Sequence, residues 1–240
     1  MYKIALTVWM GMTVRNLLYG PTIERLSQEY DVTIISNYEL LLRKALKKFA
    51  NKIEYQKLRI PRWQLPGFQG RLIRWLYKWN YFALWLEKKP KTPGIIIQWE
   101  RTNRPIRYFL TMFGARIVTI LRYGNVNRDV LRDIAYYFPV RKQFLGTDAV
   151  LVASTDMEKD QMLIYSLKKA GIPVVCLVHS WDNLTTKGTF NFTPDLMLAW
   201  NKYQVKEANE IHKIPLNNIV VTGSPFMDKW FNSNTFSKIY

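Results

Sequence analysis

Residues 179–188 read His-Ser-Trp-Asp-Asn-Leu-Thr-Thr-Lys-Gly. This one run holds an imidazole, a carboxylate, an amide, three hydroxyls and an ammonium, more polar chemistry than a chain reversal needs. Asp182 and His179 are the residue types that take a proton from an attacking hydroxyl, and an imidazole titrates in the useful range. Lys187 is suited to hold a phosphate. Ser180, Trp181, Asn183 and Thr185 complete a set able to orient a polar substrate, although Asx, Ser and Thr side chains also cap ordinary turns. A second run, Met10-Gly11-Met12-Thr13-Val14-Arg15-Asn16, offers Gly11 for close backbone approach, Arg15 for a phosphate or carboxylate, and Asn16 beside it. It follows neither the G-x-G-x-x-G nor the Walker A spacing, so it specifies no nucleotide. Cys176 is the single cysteine and His179 and His212 the only histidines, which leaves no metal-ligand cluster and no disulfide framework and suits a reducing compartment. His212, at a predicted helix end, reads as a packed or dipole-stabilised imidazole.

The elements that must carry these runs follow from hydrophobic pattern. Lys3–Trp9 is an apolar strand rather than a signal peptide, because no small-residue cleavage site follows and Arg15 and Asn16 interrupt the run. A loop, Met10–Arg15, leads into a helix over about 16–29, and Asp31–Ser36 is a second strand. In the second half, Asp148–Ala153, Pro173–His179, Asp195–Trp200 and Asn218–Thr222 read as strands. Helices fill the intervals: one opened by a Thr155/Glu158 capping box and closed by Gly171, another over Asn201–Lys213. Ile95–Trp99 and Arg116–Leu121 are expected to be two further strands. Short apolar strands alternating with helices predict an α/β, Rossmann-like, doubly wound parallel sheet. Both polar runs then fall at strand ends where such sheets bind ligands, while Thr222-Gly223-Ser224-Pro225 reads as structural punctuation.

The 240 residues carry a formal net charge of +17, with 48% hydrophobic and 15% aromatic residues, which excludes a disordered chain. No stretch is long and apolar enough to read as a spanning helix. Residues 41–142 hold 23 Lys and Arg against 5 Asp and Glu, so one block contains the whole excess. Such a surface attracts anionic lipid, phosphorylated substrates or nucleic acid. Within it, residues 62–89 alternate aromatic and basic residues. Arg71, Arg74, Lys78 and Lys89 form one helical stripe, and Leu72, Ile73, Leu76, Trp79, Ala83 and Leu86 cover much of the rest. Arg71, Arg74, Trp75, Lys78 and Trp79 are therefore expected on a membrane- or acceptor-facing surface, the alternative being a core helix with one solvated stripe. No recognisable nucleic-acid module accompanies the charge.

SWDNLTTKG (180–188), PDLMLAWN (194–201), KEANEIHKIP (206–215) and VVTGSPFMDKWF (220–231), with GMTVRNLLYG (11–20), resemble a family of GT-B glycosyltransferases from bacterial surface-polysaccharide gene neighbourhoods. That family is distantly similar to UDP-N-acetylglucosamine 2-epimerases and CDP-glycerol glycerophosphotransferases. The resemblance implies two Rossmann-like domains facing a cleft, with the acceptor on the N-terminal side and a nucleotide-sugar donor on the other. It implies no cofactor and no essential metal. It also implies that residues 1–223 form the acceptor-side domain, that 224–240 begin a connector, and that a donor-binding C-terminal domain is missing from this chain. The expected function is the acceptor-binding half of a transferase acting on a cell-surface glycan or lipid-linked acceptor, cytoplasmic and peripheral on the inner face of the membrane. Asp182 and then His179 would serve as base, with Arg15 and Lys187 holding anionic groups. Two alternatives stay open: a non-catalytic basic module docking on anionic membrane or a partner subunit, and epimerase or glycerophosphotransferase chemistry on the same fold.

Overall fold

A computed structural model describes residues 1–9, 11–18, 21–38, 42, 47, 53–58, 67–88, 95–123, 133, 136–153, 158–186, 190, 192–225 and 227. Seven parallel strands form one sheet: β1 (Lys3–Val8), β2 (Asp31–Ser36), β3 (Ile53–Gln56), β4 (Ala149–Val152), β5 (Val174–Leu177), β6 (Leu196–Ala199) and β7 (Ile219–Val221), in the order 3-2-1-4-5-6-7. The chain therefore has an α/β, doubly wound, Rossmann-like architecture. β1 pairs with β2 on one side (Leu6 opposite Ile34) and with β4 on the other (Leu6 opposite Leu151), which makes the β1/β4 boundary the point where winding reverses.

Strand residues alternate between two apolar layers, as a pleat with both faces buried requires. Leu6, Val8, Ile34 and Leu177 face a layer completed by Leu17, Leu18 and Ile23. These come from the turn α1 (Gly11–Thr13), which continues into a π-helical turn at Val14–Leu18, and from α2 (Pro21–Glu29). Ala5, Val150, Cys176 and Met197 face the other layer. It is filled by α3 (Gly67–Lys88), α6 (Glu158–Lys169) and α8 (Lys202–His212). Between α3 and α6 in sequence lie α4 (Ile95–Asn103) and α5 (Pro105–Tyr123), and α7 is the short helix Asn183–Thr186.

Helix ends follow local chemistry. Gly171, at φ 73°, takes the left-handed conformation that closes α6, and Ile172 N donates back to Leu167 O at 3.0 Å. Asn201 caps α8, its side chain accepting from Tyr203 N and Gln204 N. The Thr155 capping box lies outside the described residues.

Three expectations are corrected. Ile95–Trp99 and Arg116–Leu121 belong to helices, α4 and α5, not strands. Their β-branched runs imitate a buried strand, but short apolar runs do not distinguish the two states. In α5 the burial is helical: Thr111, Ala115 and Val118 are buried while Ile117 and Ile120 are exposed. The Met10–Arg15 loop is likewise mostly helical, beginning at Gly11. A strand the sequence reading omitted, β3, pairs with β2 through residues of mixed burial.

The close approach of α3 and α5 depends on Gly114, because a Cβ there would fall inside the Trp79 indole. Gly114→Ala is therefore expected to destabilise by about 1–3 kcal/mol despite its better helix propensity. A lowered melting temperature, recovered when Trp79 is also replaced by Leu, checks it. Asp195 supplies a second test. Partial burial works to raise its pKa, but hydrogen bonds from Lys168 (2.8 Å) and the Val174 N–H (2.8 Å) prevail and hold the carboxyl below its ordinary value of 3.8. A depressed folded-state pKa contributes stability above the unfolded value that is lost as pH falls through the folded one. Melting temperatures of wild type and Asp195→Asn should differ at neutral pH and converge in strong acid.

Candidate functional site

The two polar runs meet at the carboxyl edge of the sheet. The first follows β1 and the second follows β5, and β4 alone separates these strands. They are joined directly: Asn16 Nδ2 donates to His179 O at 3.1 Å in a buried contact. Arg15 Nε donates to Asn16 Oδ1 at 3.3 Å, which fixes the amide so that its nitrogen faces His179. The Arg15 side chain is exposed at this rim. A Cβ on Gly11 would meet nothing within 4 Å, so glycine at this position preserves room rather than a special backbone angle.

Within the second run, Asn183 organises the turn. Its Oδ1 accepts from His179 N (3.1 Å), Ser180 N (2.7 Å) and Ser180 Oγ (3.2 Å), and the residue is fully buried. Asp182 is half-buried. Its Oδ1 accepts from Ser180 Oγ at 2.5 Å and its Oδ2 from Thr186 Oγ1 at 3.0 Å, so two hydroxyls set the plane of the carboxylate. Thr185 Oγ1 donates back to the Asp182 carbonyl at 3.3 Å, within the single turn of α7. Trp181, 76% exposed, projects from the rim with a whole indole face available for stacking. His179, by contrast, is buried, and it joins the two loops through its backbone. Lys187 lies outside the described residues.

A third loop, after β6, supports the second. Trp200 Nε1 donates to Val178 O at 2.5 Å, and Gln204 reaches both Trp200 N (2.8 Å) and Ser180 O (3.4 Å). The sequence reading has Trp200 within the family-like run PDLMLAWN but gives it no role, and it does not single out Gln204, which looks like an ordinary helix-entry residue until the loops are adjacent. His212 has a structural role. Phe190 N donates to its Nδ1 at 3.1 Å, which leaves the proton on Nε2 to reach Leu184 O at 2.7 Å, and Phe190 stacks on the ring. Beneath the rim, Trp9 Nε1 donates to the buried Asp160 Oδ1 at 2.5 Å, tying β1 to the start of α6. Among the described residues, the buried Thr13 Oγ1 and Asn183 Nδ2 find no hydrogen-bond partner, and both belong to the two converging loops.

The basic residues lie elsewhere. Arg71, Arg74, Trp75 and Lys78 of α3, with Arg107 of α5, line a shallow pocket of about 220 Å³. Trp79 turns from that surface into the α3/α5 contact, edge-on to Trp75. A larger cavity of about 430 Å³ sits at the opposite, amino-terminal edge, between Lys3, Tyr30, Asp31 and Glu54. Among the described residues none from the loops that follow the strands lines it, so the switch-point rim remains the better ligand site on fold grounds. Among the described residues no group of three or more His, Cys, Asp or Glu side chains is arranged to hold a metal ion. No family model and no curated protein matches the chain.

Asn183→Ala removes the acceptor for two backbone N–H groups and should cost about 2–4 kcal/mol, one to two buried groups left unmade. Hydrogen exchange at the His179 and Ser180 amides is expected to accelerate ahead of global unfolding.

Proposed function

We propose that this chain is the acceptor-side half of a glycosyltransferase, with Asp182 as the group that receives the acceptor's proton. The observation that carries the reading is the junction of the two polar loops at the winding reversal, where Asn16 meets the His179 carbonyl. It brings an exposed arginine, an oriented carboxylate and an exposed indole to one edge. Those are the parts needed to hold an acceptor saccharide and deprotonate one hydroxyl.

In the proposed reaction the acceptor oxygen forms a bond to the sugar's anomeric carbon while the bond from that carbon to the donor diphosphate breaks. The nucleoside diphosphate leaves with the bonding electrons, and the hydroxyl proton passes to Asp182. Ser180 and Thr186 keep the carboxylate in one orientation, which lowers the entropy of reaching the reactive geometry. Trp181 offers an apolar face for a pyranose ring. Arg15 meets an anionic group on acceptor or donor, and the donor is held from a facing second domain. His179 works as a positioning residue, because its buried backbone joins the two loops.

Incubation of the full-length enzyme, this half together with its donor-binding domain, with a panel of nucleotide sugars and lipid-linked or soluble glycan acceptors, scored by mass spectrometry, tests the proposal. Asp182→Asn should lower kcat by about 10²–10⁴-fold, with KM for the acceptor changed far less. Unchanged turnover in that variant would remove Asp182. Release of a nucleoside monophosphate from a CDP-linked polyol would instead assign glycerophosphate transfer, and free epimerised sugar would assign epimerase chemistry.

A further inference from the structure

The helix α5 is apolar on two opposite faces. Gly114, Ala115 and Val118 are buried on the side turned toward α3. On the other side Ile106 (79%), Phe109 (75%), Leu110, Phe113, Ile117 and Ile120 (68%) are exposed. At 3.6 residues per turn these six fall within an arc of about 100–120°. A soluble helix ordinarily gives that outward arc to polar residues, and an unbroken outward row of Ile and Phe is a surface that something covers.

What covers it is read from the charges around it. On the same wheel Arg116 stands about 20° beyond one border of the apolar arc, and Arg107 about 60° beyond the other, on the side turned toward α3. Across α3, α4, α5 and Arg104 between them, the sequence holds nine Lys and Arg against two acids, Glu87 and Glu100. Glu100 is buried and is occupied by Lys78 (2.7 Å) and Arg107 (3.2 Å), so it does not present a negative charge outward. Arg71 and Arg74 have no ion-pair partner among the described residues and line the 220 Å³ pocket with Trp75, Lys78 and Arg107. At the corner before α5, Arg104 stacks 5.0 Å over the half-exposed Trp99 ring.

We infer that α5 lies in the plane of an anionic lipid bilayer, its Ile/Phe face in the acyl boundary and lipid phosphate in the pocket of Arg71, Arg74, Lys78 and Arg107. An apolar arc flanked by arginines, with an indole beside it, is the arrangement that serves both layers of such an interface. A second copy of the chain is a poorer occupant, because apposing two such faces would bring their flanking arginines together. Nucleic acid is poorer still: mostly aliphatic side chains offer bases little to stack on. The inference rests on α3–α5 alone and is independent of the chemistry at the β1/β5 rim, since its readout needs no turnover.

Co-sedimentation with vesicles of phosphatidylcholine alone, and with about 30% phosphatidylglycerol, tests it. Binding is expected only in the anionic vesicles. It should be weakened about tenfold or more by Phe109→Asp with Phe113→Asp, and separately by Arg71→Ala with Arg74→Ala. All four residues are outward-facing, and unchanged melting temperatures keep the variants interpretable. A blue shift of tryptophan fluorescence, larger in Phe113→Trp than in the unaltered chain with its nine native Trp, should accompany binding. No sedimentation with anionic vesicles, or equal sedimentation with both compositions, would overturn the inference. So would a concentration-dependent dimer that dissolves on Phe113→Asp.

Discussion

Seven strands running the same way force every connection to travel back across a face of the sheet before the next strand can begin. Each connection must therefore cover apolar surface, and every strand must end at the same edge. Because β1 winds outward to β2 and β4 winds outward to β5, right-handed crossovers lay α1–α2 on one face and α6 on the other. The edge between them is the one place where two departing loops diverge and leave room. The first polar run leaves the sheet at that reversal, and the second leaves one strand away from it, after β5.

That room is maintained by backbone hydrogen-bond satisfaction more than by side-chain chemistry. Asn183 satisfies the turn after β5, Asn16 fastens the β1 loop to it, and Gln204 holds it from the β6 side. Three amides thus fix where the Asp182 carboxylate and the Trp181 ring stand. The polarity of residues 179–186 is accordingly divided between two duties. Asn183, Thr185 and the His179 backbone build the turn, whereas Asp182 and Trp181 are what the turn presents.

The first and last thirds of the chain were legible because their signals are local and agree with one another. β2 spans the predicted residues, and the strands at 149–152, 174–177, 196–199 and 219–221 fall within their predicted runs. Apolar runs of strand length, glycine at helix ends and polar runs between them all point to the same elements. The middle was not legible in this way. Ile-rich segments at 95–97 and 117–120 have the composition of strands, and a helix apolar on two faces blurs the periodicity that would reveal it. The signal that would have found α5 was the spacing Ile106, Phe109–Leu110, Phe113, Ile117, Ile120, read together with Ala115 and Val118 between them.

The sequence alone determined the parallel α/β class, the ends of most strands, and the fact that one block carries all the excess positive charge. Those properties depend on residue type and short spacing, which a chain holds whether folded or not. Only tertiary structure decided that residue 16 touches residue 179, that Trp79 is spent on packing against Gly114 while Arg71 and Arg74 remain at the surface, and that α5 rather than α3 turns the larger apolar row outward. Each of these depends on which of two possible faces meets a neighbour. An apolar residue is equally willing to bury against either, so the choice is made by the whole packing and by no local run of residues.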